Sequence, residues 1–158
     1  MKVVADTGPL NHLALIGCTD IPSRLFTGVA IPPSVRRELE HPETPAEVRD
    51  WLASAPAWLT TSPVPSADAS GLAHLDDGER DVILLGETLK ADLVLMDERA
   101  GNAVVRARGF AATGTLGLLD RGVRRGWIDL PEAVHRLRQT SFRYRPTLLQ
   151  ALLAQPEA

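Results

Sequence analysis

Two short apolar runs in this sequence each end on an aspartate. Residues 3–5 are followed by Asp6 and Thr7, and residues 93–96 are followed by Asp97. Such an aspartate can be an N-cap that accepts a hydrogen bond from the first turn of the next helix. Two acids at strand ends also suit a catalytic site, because ligands of parallel α/β sheets bind beyond the carboxyl ends of the strands. The sequence alone allows either role for each residue.

Two glutamates are further candidates for the same site. In the helical segment 77–90, Glu79 shares a face with apolar residues, so its carboxylate is directed toward the edge of the core. Glu79 also fits a capping box with Asp76 as N-cap, and spacing does not separate these two interpretations. Glu38 follows Val35 by three residues, and helical periodicity by itself favours an ordinary surface glutamate there.

Four carboxylates in one crevice would repel each other and raise their pKa values, and a divalent cation would relieve that repulsion. The four histidines show no metal-ligand spacing, and the chain has a single cysteine, Cys18. A ligand set made only of oxygen suits Mg²⁺ or Mn²⁺ better than Zn²⁺. Because such ions activate water and neutralise charge on a phosphoryl group, the expected chemistry is hydrolysis of a phosphodiester.

The elements that must position these acids alternate between strands and helices. Strands are predicted at 2–5, 29–31, 93–96 and 110–113, and helices at 9–17, 32–40, 46–55, 77–90, 98–108, 116–125, 131–138 and 146–153. Residues 60–71 are predicted to be a surface loop. This alternation predicts a three-layer α/β/α fold with a mostly parallel sheet of four or five strands. We expect one domain over residues 1–158, with a core at about 2–125 and a helical extension at about 126–158.

Composition limits the class of protein. Hydrophobic residues make up 44% of the 158 and charged residues 23%, and no apolar run is long enough for a membrane helix, so we expect a cytoplasmic protein. The net charge of −3 is unevenly distributed, because residues 1–98 are acidic and residues 99–158 are basic. Most basic residues are arginine, which binds phosphate bidentately, although arginine richness also follows from genome composition. The asymmetry allows an acidic site beside a basic flank.

Four short motifs occur in a characteristic order: DTGPL at 6–10, IPPSVRREL at 31–39, LDDGE at 75–79 and TGTLG at 113–117. Their order and spacing over about residues 2–125 resemble the PIN-domain family, which includes the VapC-type ribonuclease toxins of toxin–antitoxin pairs. More narrowly, the chain resembles a poorly characterised prokaryotic PIN subfamily with a late T-G-T-L-G motif. The resemblance implies a PIN-like domain that acts as a metal-dependent endoribonuclease.

The resemblance also assigns roles to matching residues, and it decides the question of Glu38. It implies a catalytic acidic quartet, metal ligands within that quartet for Mg²⁺ or Mn²⁺, and residues that position substrate. The quartet is Asp6, Glu38, Glu79 and Asp97, the ligands are Asp6, Glu79 and Asp97, and the positioning residue that matches the family is Thr7. Arg99 is a further candidate to position RNA because it lies next to the last acid in sequence, although an ordinary surface arginine is the favoured interpretation there. Thr115 is also a candidate to position substrate.

Two positions depart from the family pattern. Many VapC-like chains have aspartate in place of Glu79 and threonine in place of Leu95, so the second change removes a hydroxyl from the site. Thr113 and Thr115 are candidates to supply it, although either residue also suits a strand-to-helix cap.

Three functions are compatible with these features. The preferred function is an endoribonuclease that cleaves an RNA substrate and forms a homodimer. In a narrower form of this function, the protein is the toxin of a pair and binds an antitoxin protein. The segment RPTLLQALLAQ at 145–155 offers an apolar helix for self-association or antitoxin docking. The alternative is a weak or inactive PIN-like module that binds RNA or protein. A phosphatase with an aspartate nucleophile is disfavoured, because its second acid would stand where this chain has Gly8.

Overall fold

The computed structural model of the chain describes residues 1–65 and 69–142. Within them lie five strands, namely β1 (Val3–Ala5), β2 (Val29–Ile31), β3 (Leu59–Thr61), β4 (Leu93–Leu95) and β5 (Ala111–Thr113). The helices of the same residues are α1 (Thr7–Leu15), α2 (Asp20–Leu25), α3 (Pro33–Glu40), α4 (Ala46–Ala53), α5 (Asp77–Leu89), α6 (Arg99–Ala107), α7 (Thr115–Arg124) and α8 (Leu130–Arg138).

The strands form one sheet in the order β3-β2-β1-β4-β5, and every pairing is parallel. The predicted three-layer α/β/α fold is confirmed, with five strands in the sheet. The chain builds outward from β1 to β3 and then returns to place β4 on the other side of β1. The strand order therefore reverses between β1 and β4, which is the position where α/β sheets bind ligands.

Local sequence explains the elements that frame this position. All residues of β1 and β4 are buried, as expected for uninterrupted apolar runs in the centre of a parallel sheet. Pro33 opens α3, where proline needs no amide hydrogen-bond partner. The Asp76 carboxylate caps α5 by accepting a hydrogen bond from the N–H of Glu79 at 2.7 Å. Because α5 leads into β4, its N-terminus lies at the carboxyl edge of the sheet.

Two elements differ from the sequence-based expectation. Helix α2 is only six residues long and has a proline in its first turn, so it shows no helical periodicity. Strand β3 includes Thr60 and Thr61, which we expected in a loop, and it was missed because only Leu59 of its three residues is buried. The predicted helix 146–153 and the segment 145–155 lie outside the described residues. No helix within the described ranges is long and apolar enough to cross a membrane.

Candidate active site

Asp6 and Asp97 lie next to each other because β1 and β4 pair in register. Ala5 is the partner of Leu95, and the N–H of Asp6 continues the ladder with a 2.9 Å hydrogen bond to the carbonyl of Leu95. Asp6 is 6% exposed and stands at the N-cap of α1, yet its side chain makes no capping hydrogen bond among the described residues. The backbone thus places two carboxylates at the switch point of the sheet, and capping does not explain Asp6.

Glu38 and Asp76 approach Asp6 around Gly78. A β-carbon built on Gly78 would lie 3.3 Å from Oδ1 of Asp6, 3.4 Å from Oε2 of Glu38 and 3.6 Å from Oδ1 of Asp76. Three carboxylates from three separate parts of the chain therefore face one space, which the absence of a side chain at Gly78 leaves open. The glycine of the LDDGE motif has a steric explanation in this arrangement.

A cleft of about 210 Å³ joins all four acids of the predicted quartet. The carboxylates that line it are Asp6, Glu38, Asp76, Glu79, Asp97 and Glu98, and the other lining residues are Thr7, Gly8, Asn11, His12 and Ser141. The sequence-based expectation that the quartet shares one crevice agrees with this geometry. Asp76 and Glu98 add two acids that sequence reasoning had treated only as helix starts.

Thr7 holds Glu38 in the cleft. The Thr7 hydroxyl, in the first turn of α1, donates a 2.8 Å hydrogen bond to Oε2 of Glu38. Glu38 is exposed, as its periodicity indicated, but this bond directs its carboxylate toward Asp6. Contact between α1 and α3, and not the pattern of α3 itself, therefore brings Glu38 to the site.

Thr115 orients the Asp97 carboxylate through two hydrogen bonds. The backbone N–H of Thr115 donates to Oδ1 of Asp97 and the hydroxyl donates to Oδ2, each at 2.7 Å. Asp97 thus binds the N-terminus of α7, and not that of α6, the helix that follows it in sequence. The Thr115 side chain is fully buried, so it orients Asp97 and does not reach substrate as we had expected. It also supplies the hydroxyl that Leu95, buried in the core, does not.

Burial and mutual repulsion shape the electrostatics of the cleft. Burial raises the pKa of Asp6 to about 7, the N–H of Thr7 opposes that rise, and the charges of Asp76, Glu38 and Glu79 add to it. The pKa of Glu79 is also raised to about 7. Burial of the Glu79 side chain is the largest cause, and the charge of Asp76 and a hydrogen bond between the two side chains add to it. Asp6 and Glu79 therefore each carry a proton for a substantial fraction of the time near pH 7.

His12 is a site residue that sequence reasoning missed. Its Nδ1 lies 3.3 Å from Oδ2 of Asp97, and its ring meets the ring of Phe142 edge-on with centroids 4.9 Å apart. The available signal was its position four residues after Gly8 on α1, which puts both on the face that meets Asp97. Arg99, by contrast, is exposed at the start of α6 and does not line the cleft.

The donor chemistry fits a hard divalent cation, since every carboxylate in the cleft offers oxygen only. Oxygens of Asp6, Glu38 and Asp76 face the space beside Gly78. Within the described residues, no three Asp, Glu, His or Cys side chains are already arranged as a complete ligand set.

Comparison with known proteins adds one match. A family model described as PIN domain matches residues 2–157 of the chain. A search of curated proteins found no match. The matched range contains every strand and helix of the described structure. It also extends beyond residues 2–125, over which the motifs run.

The raised pKa of Asp6 predicts that the metal-free protein loses stability as pH rises. The native state holds a proton that the unfolded chain releases near pH 4, so this stabilisation is complete below about pH 4 and is lost as pH approaches about 7. Asp6→Asn removes that dependence. In urea denaturation with EDTA, the stability of Asp6→Asn relative to wild type should therefore increase from pH 4 to pH 7.5.

The matched control for this measurement is Asp50→Asn, which changes an exposed aspartate of α4. Its stability relative to wild type should show no such trend. If the difference in free energy of unfolding between wild type and Asp6→Asn stays constant across this pH range, the assignment of the raised pKa to Asp6 is contradicted.

Proposed function

The chain belongs to the PIN-domain family, whose members are generally nucleases, and on that premise we propose that it is a metal-dependent endoribonuclease. The observation that carries the proposal is the convergence of Asp6, Glu38, Glu79 and Asp97 on one cleft at the switch point of the sheet. These acids come from four different elements or their ends, so their meeting is a property of the fold. Their oxygen-only chemistry suits hydrolysis of a phosphodiester.

Each acid has a role in the proposal. Asp6, Glu79 and Asp97 would hold Mg²⁺ or Mn²⁺, which when bound supplies charge neutralisation and activation of water. Glu38, fixed by the Thr7 hydroxyl at 2.8 Å, is placed to orient the attacking water and accept its proton. Thr115 fixes Asp97 through two hydrogen bonds, and this second layer holds the carboxylate in one orientation.

Basic residues beside the cleft would bind the RNA backbone. Arg99 directly follows Glu98, which lines the cleft, and its exposed guanidinium is free of any ion pair or hydrogen bond within the described part of the chain. A guanidinium there can bind a phosphate bidentately without entering the acidic site. We propose that Arg99 positions RNA next to the cleaved bond.

The central test is loss of cleavage in Asp97→Asn. Removing the charge of a direct metal ligand should cost more than the roughly 10–100-fold typical of residues that only support ligands. Purified wild-type protein should cleave single-stranded RNA with Mg²⁺ or Mn²⁺ and stop in EDTA. Asp97→Asn should cleave more than about 100-fold more slowly under the same conditions.

Asp50→Asn serves again as the control, since it removes one exposed aspartate far from the cleft lining. Asp97→Asn should melt within a few degrees of wild type, because asparagine can still accept from the N–H of Thr115. Metal-dependent cleavage that persists in Asp97→Asn would refute the assignment. RNA binding without cleavage by the wild type would favour the alternative, a PIN-like module that only binds.

The role of Thr115 can be separated from that of a general core residue. Thr115→Val keeps the volume and the backbone hydrogen bond but removes the hydroxyl from Oδ2 of Asp97. Cleavage should fall about 10–100-fold, and the metal concentration for half-maximal rate should rise. Thr115→Ser should restore both values. If Thr115→Ser and Thr115→Val behave alike, the hydroxyl does not orient Asp97.

We also propose a cytoplasmic toxin of a toxin–antitoxin pair that forms a homodimer, on the strength of the family resemblance. A small upstream open reading frame with a DNA-binding helix pattern would support the toxin role. Multi-angle light scattering at micromolar concentration should give twice the chain mass of 17.1 kDa. A mass of one chain at all concentrations would contradict the dimer.

A further inference from the structure

A second cavity is lined by residues of α3 and α5 and has a volume of about 420 Å³. It shares no lining residue with the acidic cleft. Its apolar walls are Pro33, Val64, Pro65 and Leu84. Three polar side chains, Ser34, Arg37 and Asp81, complete it. Apolar walls with a few polar groups are typical of sites that bind a small ligand or a single unstacked base.

The Ser34 side chain, which lines this cavity, has a hydroxyl group that is unsatisfied within the described part of the chain. The residue is 8% exposed, and its Oγ is buried with no hydrogen-bond partner among the described residues. A buried hydroxyl without a partner costs free energy, so native proteins rarely keep one without a reason. Because Ser34 lines the cavity, a change of its side-chain rotamer would bring the hydroxyl to a polar ligand bound there, and that ligand would supply the missing bond.

Arg37 and Asp81 give the cavity groups of opposite charge. Arg37 makes no ion pair or hydrogen bond within residues 1–65 and 69–142, so its donors are available. The Asp81 side chain is 19% exposed, and among the described residues it pairs only with Arg80, through Oδ1 at 3.3 Å, which leaves Oδ2 without a partner there. A ligand that fits must therefore present acceptors to a guanidinium and donors to a carboxylate.

We propose that this cavity binds a guanine base of the RNA, an inference that rests on the proposed nuclease function. Guanine has the acceptor pair O6 and N7, which arginine binds bidentately, together with N1–H and amino donors for a carboxylate. Its flat ring suits the proline walls. Neither adenine, which has an amino group in place of O6, nor the smaller pyrimidines offer this combination.

The position of the cavity connects it to the proposed chemistry. Arg37 directly precedes Glu38 on α3, and Asp81 follows Glu79 by two residues on α5. The same two helices therefore contribute side chains to both the cleft and the cavity. A base held here belongs to a nucleotide close to the phosphate in the cleft, and it would give the enzyme a preference for guanine at that position.

The test uses the full chain and free nucleotides in EDTA, so that it requires no cleavage. Calorimetric titration should show GMP binding at least roughly tenfold tighter than AMP, CMP or UMP. Arg37→Ala and Asp81→Asn should each weaken GMP binding roughly tenfold. The matched control is Asp77→Asn on the same helix, whose side chain is 82% exposed and does not line the cavity, and it should bind GMP as wild type does.

Ser34→Ala separates binding from folding. It should weaken GMP binding without lowering the Tm, because the native hydroxyl satisfies no bond in the unliganded protein. A lower Tm with unchanged GMP binding would show that Ser34 is structural and would overturn its part in the site. Equal affinity for all four nucleotides would overturn the guanine site, since only their shared phosphate would then be recognised. Binding of none of the four nucleotides would overturn it as well.

Failure of this inference is distinguishable from failure of the nuclease proposal. Asp97→Asn should bind GMP as tightly as wild type, because Asp97 lies in the other cavity. Guanine binding without RNA cleavage would support the pocket and contradict the nuclease. Cleavage of RNA with no preference for guanine near the cut site would contradict the pocket alone.

Discussion

The burial of the Asp6 carboxylate at the β1–β4 junction is the constraint on which the site depends. Parallel pairing of two buried strands fixes the backbone so that Asp6 and Asp97 emerge side by side. Burial alone makes a charged Asp6 costly, and its acidic neighbours increase that cost. If the site binds a divalent cation, as we propose, the bound cation would stabilise the folded protein.

Glycine is the residue that makes such crowding sterically feasible. A β-carbon on Gly8 would lie 3.1 Å from Oδ2 of Asp97, one on Gly78 would enter the space among three carboxylates, and one on Gly114 would collide with Oδ1 of Asp97. These three glycines belong to three of the four motifs in the sequence. Glycines of one part of the chain therefore leave room for acids of another, so these motifs contribute to a single packing arrangement.

Helices α3 and α5 join chemistry to recognition in the arrangement we propose. Each helix contributes an acid to the cleft and a charged residue to the neighbouring cavity. The distance between the cleft and the cavity is therefore set by helix packing and not by a loop. Sites built on packed helices hold their geometry better than sites built on loops. The same arrangement allows substrate preference to change through Arg37 or Asp81 while Glu38 and Glu79 stay in place.

The sequence by itself determined the elements that carry a strong local signal. The buried runs of β1 and β4, the acids that follow them and the capped start of α5 are all readable, because apolar periodicity and capping depend on neighbouring residues. Local signals do not report which elements meet. Periodicity described Glu38 correctly as exposed, but only the contact of α1 with α3 brings it to the site. Likewise, tertiary packing alone decided that Asp97 binds Thr115 at the start of α7, since 18 residues separate them along the chain.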